Sequence, residues 1–106
     1  MPVLDAVATE LATMGRAIRV EGHTDASPVQ GSTYRNNWDL SAARAVTVVS
    51  HLERAHRISP TLLSASGLGS SRPLMIKGEV TPAEANRRIE IVVELAPSDV
   101  INLAAE

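Results

Sequence analysis

Residues 40–57 read LSAARAVTVVSHLERAHR, and this stretch decides the fold class. Ala45, Val48, Val49, Leu52 and Ala55 recur at helical spacing and form one apolar stripe, while the alanines favour helix outright. Asn37 or Asp39 is placed to cap the first turn, and Arg54 with Arg57 suits the negative end of the helix dipole. Ahead of this helix, residues 23–38 are polar and turn-rich (Asp25, Ser27, Pro28, Gly31, Ser32, Asn36, Asn37). Such a loop is long for a small domain, and loops of that length are commonly functional or mobile. Before the loop, Ile18-Arg19-Val20-Glu21-Gly22 alternates apolar and charged residues, which predicts a half-buried strand. Further back, Leu4, Val7, Ala8 and Leu11 predict a helix over residues 4–14, stopped by Gly15. On the other side, Ser59-Pro60 breaks the long helix and residues 62–67 predict a short strand. Gly67, Gly69, Ser70, Ser71, Pro73, Gly78 and Pro82 then punctuate a turn-rich stretch. Ile89-Glu90-Ile91-Val92-Val93-Glu94-Leu95 is β-branched and predicts a strand ended by Pro97, with a short terminal helix over 100–105. That order of elements predicts an α+β sandwich with helices on one sheet face.

A chain of 106 residues makes one domain, here with its core over 4–95 and a C-terminal extension over 96–106. The absence of cysteine excludes a disulfide, a thiolate metal site and a thiol nucleophile. A formal net charge of −2 with only 2% aromatic residues argues against nucleic acid, which calls for a basic footprint and stacking rings. Charges break every apolar run before it reaches membrane-spanning length, and Asp5 and Glu10 stand where a signal peptide would be apolar.

Polar chemistry concentrates around the long loop. Thr24 and Asp25 follow the first strand directly, and Arg44 lies one turn into the long helix, at the border of its apolar stripe. If the loop folds back, Asp25 and Arg44 face each other across the helix N-terminus. The ligand suited to such a pair is a zwitterionic amino-acid head group: the carboxylate takes an ammonium, and the guanidinium takes a carboxylate in bidentate fashion. Spacing alone equally admits a mutual ion pair, or an Asx-turn at Asp25. Trp38 reads as a hydrophobic staple or core plug rather than a stacking platform. Alternation points Arg87 to the face of Ile89 and Arg88 to that of Glu90, so either one lines a groove or Arg88 pairs with Glu90. A metal site is not expected: His51 and His56, five apart, do not share a helix face, and His23 lacks an HxH or HExxH partner. No nucleophile elbow, oxyanion loop or carboxylate pair is present, and Gly67-Leu68-Gly69 opens no helix, so neither catalysis nor phosphate binding is expected.

Four motifs in order carry a resemblance: Gly22-His23-Thr24-Asp25, Asn37-Trp38-Asp39-Leu40-Ser41-Ala42-Ala43-Arg44-Ala45, Gly67-Leu68-Gly69 and Asn86-Arg87-Arg88-Ile89-Glu90. Together they resemble the OmpA-like (OmpA/Pal/MotB) peptidoglycan-binding domain, and the long Pro-containing insert is most similar to its flagellar-stator branch, MotB. The resemblance implies a two-layer sandwich on a small mixed sheet that binds the stem peptide of peptidoglycan, through its diaminopimelate, without cleaving it and without a cofactor. It implies that Asp25 holds the diaminopimelate ammonium and Arg44 its carboxylate, with Thr24, Asn37 and Leu40 lining the groove and Arg88 on the last strand beside it. A homodimer is implied, as is the periplasmic part of a membrane-anchored, inner-membrane bacterial protein that ties a complex such as the flagellar stator to the cell wall. The same likeness admits an outer-membrane or secretion-system anchor, or a dimerisation module without wall contact. The resemblance implies a first strand ahead of the first helix that is not expected within this chain, so either the chain starts after it or the strand is supplied otherwise. Its absence would expose a sheet edge, and the membrane segment is expected outside this chain.

Overall fold

The computed structural model describes residues 2–94. Helix α1 (Pro2–Met14) leads into strand β1 (Ile18–His23); the loop then enters helix α2 (Asn37–His56). A single 3-10 turn at Pro60–Leu62 precedes β2 (Leu63–Gly67). A small hairpin, β3 (Met75–Ile76) and β4 (Glu79–Val80), is followed by the one-turn helix α3 (Ala83–Asn86) and by β5 (Arg88–Val93). Leu95, the extension over 96–106 and its expected terminal helix lie outside the described residues.

The main sheet has the order β2-β1-β5, with β1 parallel to β2 and antiparallel to β5. The sheet is thus mixed, as expected. Parallel pairing of β1 and β2 requires a crossover, and α2 is that crossover. Its apolar stripe sets Ala45, Val48 and Leu52 against Ile18 and Val20, and Ala8 and Leu11 of α1 complete the core together with Ile58. No strand precedes α1 among the described residues, and β5 pairs only with β1 there. An apolar groove of about 350 Å³ runs beside it between Val3, Leu4 and Val7 of α1, Val48 of α2, and Ile89 and Ile91.

The helix lies unusually close to the sheet. A Cβ on Gly22 would stand 2.1 Å from the Ser41 carbonyl oxygen, and one on Gly67 would stand 2.6 Å from the Ala42 nitrogen. Glycine at both positions lets the start of α2 rest on β1 and β2 backbone to backbone. Ser41, fully buried, fastens the approach: its hydroxyl donates to Trp38 O (3.0 Å) and accepts from Gly69 N (2.9 Å). Gly69, just after β2, is thereby held beside the α2 N-terminus, and Thr24, just after β1, is tied to it by donating from its N–H to Gly69 O (2.9 Å).

The opposite sheet face carries charge. Arg19 donates from Nε to Glu21 (2.9 Å), and Arg88 donates from Nε to Glu90 (2.6 Å). Between the two acids sits His23, only 2% exposed, with neither ring nitrogen hydrogen-bonded. Trp38 is no core plug: it is 56% exposed, and its indole covers Gly69.

Candidate functional site

Asn36, not Asn37 or Asp39, caps α2: its Oδ1 accepts from Asp39 N (2.9 Å). Asp39 in turn accepts from the Arg35 backbone N–H (3.0 Å), so the two side chains satisfy donors on either side of the helix start. With capping done by Asn36, Asn37 turns its amide to the loop, donating to Ser27 O (3.0 Å) and Asp25 O (3.4 Å). The loop is folded back over the first turns of α2 by these bonds.

Folding back creates a cleft of about 200 Å³. Asp25, Thr24, Asn37, Leu40 and Arg44 all line it, with Ser27, Pro28, Val29 and Gln30 forming the loop wall. Five of the six residues marked from the sequence therefore meet in one hollow. Arg88, the sixth, does not line it. It begins β5 with its side chain on the charged sheet face, where it binds Glu90 and donates to Arg72 O (3.0 Å).

Arg87 lines the cleft instead and forms an ion pair with Asp25 through Nε. Strand alternation misplaces this residue because β5 starts one position later. Arg87 closes α3 at φ −85°, ψ 80°, so its side chain obeys the turn rather than the pleat. A second hollow of about 410 Å³, lined by Val80, Thr81, Ala83 and Asn86, opens on the other side of Asp25 and Ser27.

The site's charges are unequally engaged. Asp25 is mostly covered (12% side-chain exposure) and also accepts from Ser27 N (2.7 Å), an Asx-turn. The Arg87 guanidinium and then the Ser27 N–H hold its carboxyl below the usual carboxylate range. Arg44 is exposed and, among the described residues, has no ion pair or side-chain hydrogen bond. Asp25 and Arg44 are therefore not each other's partners. The cleft presents one carboxylate, one committed cation and one uncommitted cation around an apolar contact at Leu40.

Among the described residues two other clusters combine imidazole and carboxylate, Asp5-His51-His56 and Glu21-His23-Glu90, and neither includes a cleft residue. The described residues contain no helix long and apolar enough to cross a membrane.

Comparison with known proteins gives consistent likenesses. The sequence pattern described as "OmpA family" matches residues 1–88. An uncharacterized protein of Bacillus subtilis strain 168, YtxE, is 33% identical over 92 residues, covering 87% of this chain and 38% of that protein. Motility protein B of the same strain is 32% identical over 78 residues, covering 74% of this chain and 30% of that protein. The chain thus spans well under half the length of these relatives. Among solved structures, the periplasmic domain of Helicobacter pylori MotB (residues 78–256) superposes with a TM-score of 0.78 at 25% identity, covering 92% of this chain and 63% of that one. The cell wall anchor of the type VI secretion system (T6SS) from Pseudomonas aeruginosa superposes with a TM-score of 0.74 at 32% identity, covering 87% of this chain and 64% of that one.

Proposed function

Because the chain belongs to the OmpA family, a family of non-catalytic domains of the peptidoglycan-binding type, we propose that its cleft holds the diaminopimelate of an uncrosslinked peptidoglycan stem. The observation that carries this reading is the pair of opposite charges lining one small hollow without neutralising each other. Asp25 accepts hydrogen bonds from the ligand ammonium; Arg44, uncommitted and exposed, takes the carboxylate on the same carbon through two parallel N–H donors. The ammonium competes with Arg87 for Asp25, and a displaced Arg87 remains close enough to meet a second ligand anion. Leu40 packs the aliphatic arm, and the hollow beyond Ser27 receives flanking stem residues. No group in the cleft is arranged to cleave a bond, and binding alone is the activity.

In the whole protein we read the domain as periplasmic and homodimeric, tied through a separate membrane segment to a flagellar stator and anchoring it to the wall. Its likeness to motility protein B and to MotB periplasmic domains supports this. A second reading keeps the wall ligand but places the domain in a secretion system, and the 32% identity to the Pseudomonas aeruginosa T6SS anchor favours it.

Tag-free protein sedimented with purified sacculi tests the site. The wild type is expected in the pellet, and Asp25→Ala or Arg44→Ala is expected in the supernatant. Removing one partner of a desolvated charge contact costs about 2–5 kcal/mol, a loss of more than tenfold in affinity. Pelleting of both variants removes the clamp, and a soluble wild type that dimerises without pelleting returns the domain to a purely protein-binding role. Stem peptides sharpen the test: one ending its side chain in lysine lacks the second carboxylate and is expected to bind far more weakly than its diaminopimelate counterpart.

A further inference from the structure

We propose that Asp5, His51 and His56 form a binding site for a divalent transition-metal ion of the zinc class, which clamps α1 onto the end of α2. The Asp5 Oδ1 atom lies 2.6 Å from His51 Nε2 and 2.7 Å from His56 Nε2. All three donor atoms fall within 4.8 Å of one another, and the two imidazoles meet edge to face at a centroid distance of 5.3 Å. Five residues of helix separate side chains by about 140°, which is why the sequence shows no shared face. The third donor, from α1, sits between them, and both imidazoles swing inward to reach it.

The donor set selects the ion. Two imidazole nitrogens and one carboxylate suit zinc, cobalt, nickel or copper; calcium and magnesium prefer all-oxygen shells. Three protein donors leave a fourth tetrahedral position for water. A zinc ion about 2.0–2.1 Å from each donor separates them to about 3.3 Å, so each side chain withdraws by a few tenths of an ångström, a small torsional change at partly exposed positions. Each imidazole then binds through an unprotonated Nε2 and keeps its proton on Nδ1, and any imidazolium present releases its proton to solvent. Partial exposure of all three side chains (43%, 28% and 17% for Asp5, His51 and His56) gives an ion a route in from solvent. The Glu21-His23-Glu90 cluster is a poorer host, because Arg19 and Arg88 already neutralise its acids.

The site is independent of the wall-binding cleft, and so is its test. Tag-free protein, stripped with chelator and titrated with zinc chloride by calorimetry at about pH 7.5, is expected to show one saturable site per chain. Its melting temperature is expected to rise by several degrees at zinc concentrations well above the dissociation constant, with no response to magnesium or calcium. His51→Ala and His56→Ala are each expected to weaken binding at least tenfold and leave sedimentation with sacculi unchanged. Titration of the wild type followed by imidazole nitrogen resonances needs no variant: zinc is expected to move His51 and His56 and to leave His23 in place. The absence of saturable binding, equal affinity in the double variant, or movement of His23 alone overturns the proposal.

Discussion

Asp25 is the residue on which the cleft turns, and its charge state is open to direct test. Arg87 and the Ser27 N–H hold its carboxyl below the ordinary value of 3.8. Carboxylate-dependent binding of the wall ligand is therefore expected to persist into acid beyond that value. Arg87→Ala removes the larger of these causes, so the carboxyl moves back up and the variant is expected to lose sacculus binding at a higher pH than the wild type. Comparing the two proteins on the same sacculi cancels the titration of the wall itself; coincident curves sink the assignment. Arg57 gives a residue-scale prediction about stability. It ends α2 at φ 55°, its N–H donating to Leu52 O, in a left-handed conformation that glycine adopts without strain. Arg57→Gly is expected to stabilise the fold by about 0.5–1 kcal/mol in urea unfolding. At this scale the sequence singles out Asp25 and Arg44 as candidates by opposite charges around a loop and a helix start. Spacing alone leaves a mutual ion pair or an Asx-turn equally open, and Asp25 does make that turn. The sequence is silent where a side chain obeys neighbours yet unseen. Arg87 is governed by a turn too short to leave a periodic trace, and His51 and His56 meet only because α1 brings Asp5 between them.

The elements differ in how plainly the sequence declares them, and the difference follows from length. Twenty residues of α2 hold enough repeats of its apolar stripe to be read directly. The two-residue strands β3 and β4 hold none, and the region reads only as punctuation. Its hairpin turns on Lys77 and Gly78, both at positive φ (52° and 80°), a two-residue connection suited to strand twist. What secures the hairpin is Asn86, 3% exposed. Its Oδ1 accepts from Leu74 N (2.7 Å), and its Nδ2 donates to Thr81 O (3.2 Å) and Pro82 O (3.3 Å). Asn86→Ala removes the bonds to the Leu74 N–H and to the Thr81 and Pro82 carbonyls and is expected to cost about 1–3 kcal/mol in urea unfolding. Because α3 carries Arg87 into the cleft, the same variant is also expected to weaken wall binding. At the other end of the site, Gly67→Ala forces a methyl into the Ala42 backbone. Such overpacking costs about 1–3 kcal/mol and pushes α2 off the sheet. Loss of stability with full wall binding is the outcome that separates a packing role from a positioning one.

Across the whole molecule, three carboxylates outside the core engage cationic partners. Glu21 pairs with Arg19 two residues back on β1, Asp25 joins the loop to the turn before β5, and Asp39 fastens the entry of α2 through Arg35. Each is held below its ordinary value (4.5 for Glu21, 3.8 for the two aspartates), by Arg19, by Arg87 and by the Arg35 N–H respectively. The direction of the resulting pH dependence is fixed by linkage. A depressed folded-state value means that the unfolded chain takes up protons first as pH falls. The stabilisation from these groups is complete above about pH 5 and is withdrawn as the pH drops through the ordinary carboxylate range and below. Urea midpoints are therefore expected to be flat from neutrality down to that point with respect to these three acids, then to fall steadily. The contributions are individually small because the partners are largely solvated, so the decisive measurement is a difference: Glu21→Gln, Asp25→Asn and Asp39→Asn combined are expected to lower stability at neutral pH and to flatten the acid slope. An acid slope as steep in the triple variant as in the wild type assigns the acid sensitivity to other groups and leaves these three contacts without a stabilising role.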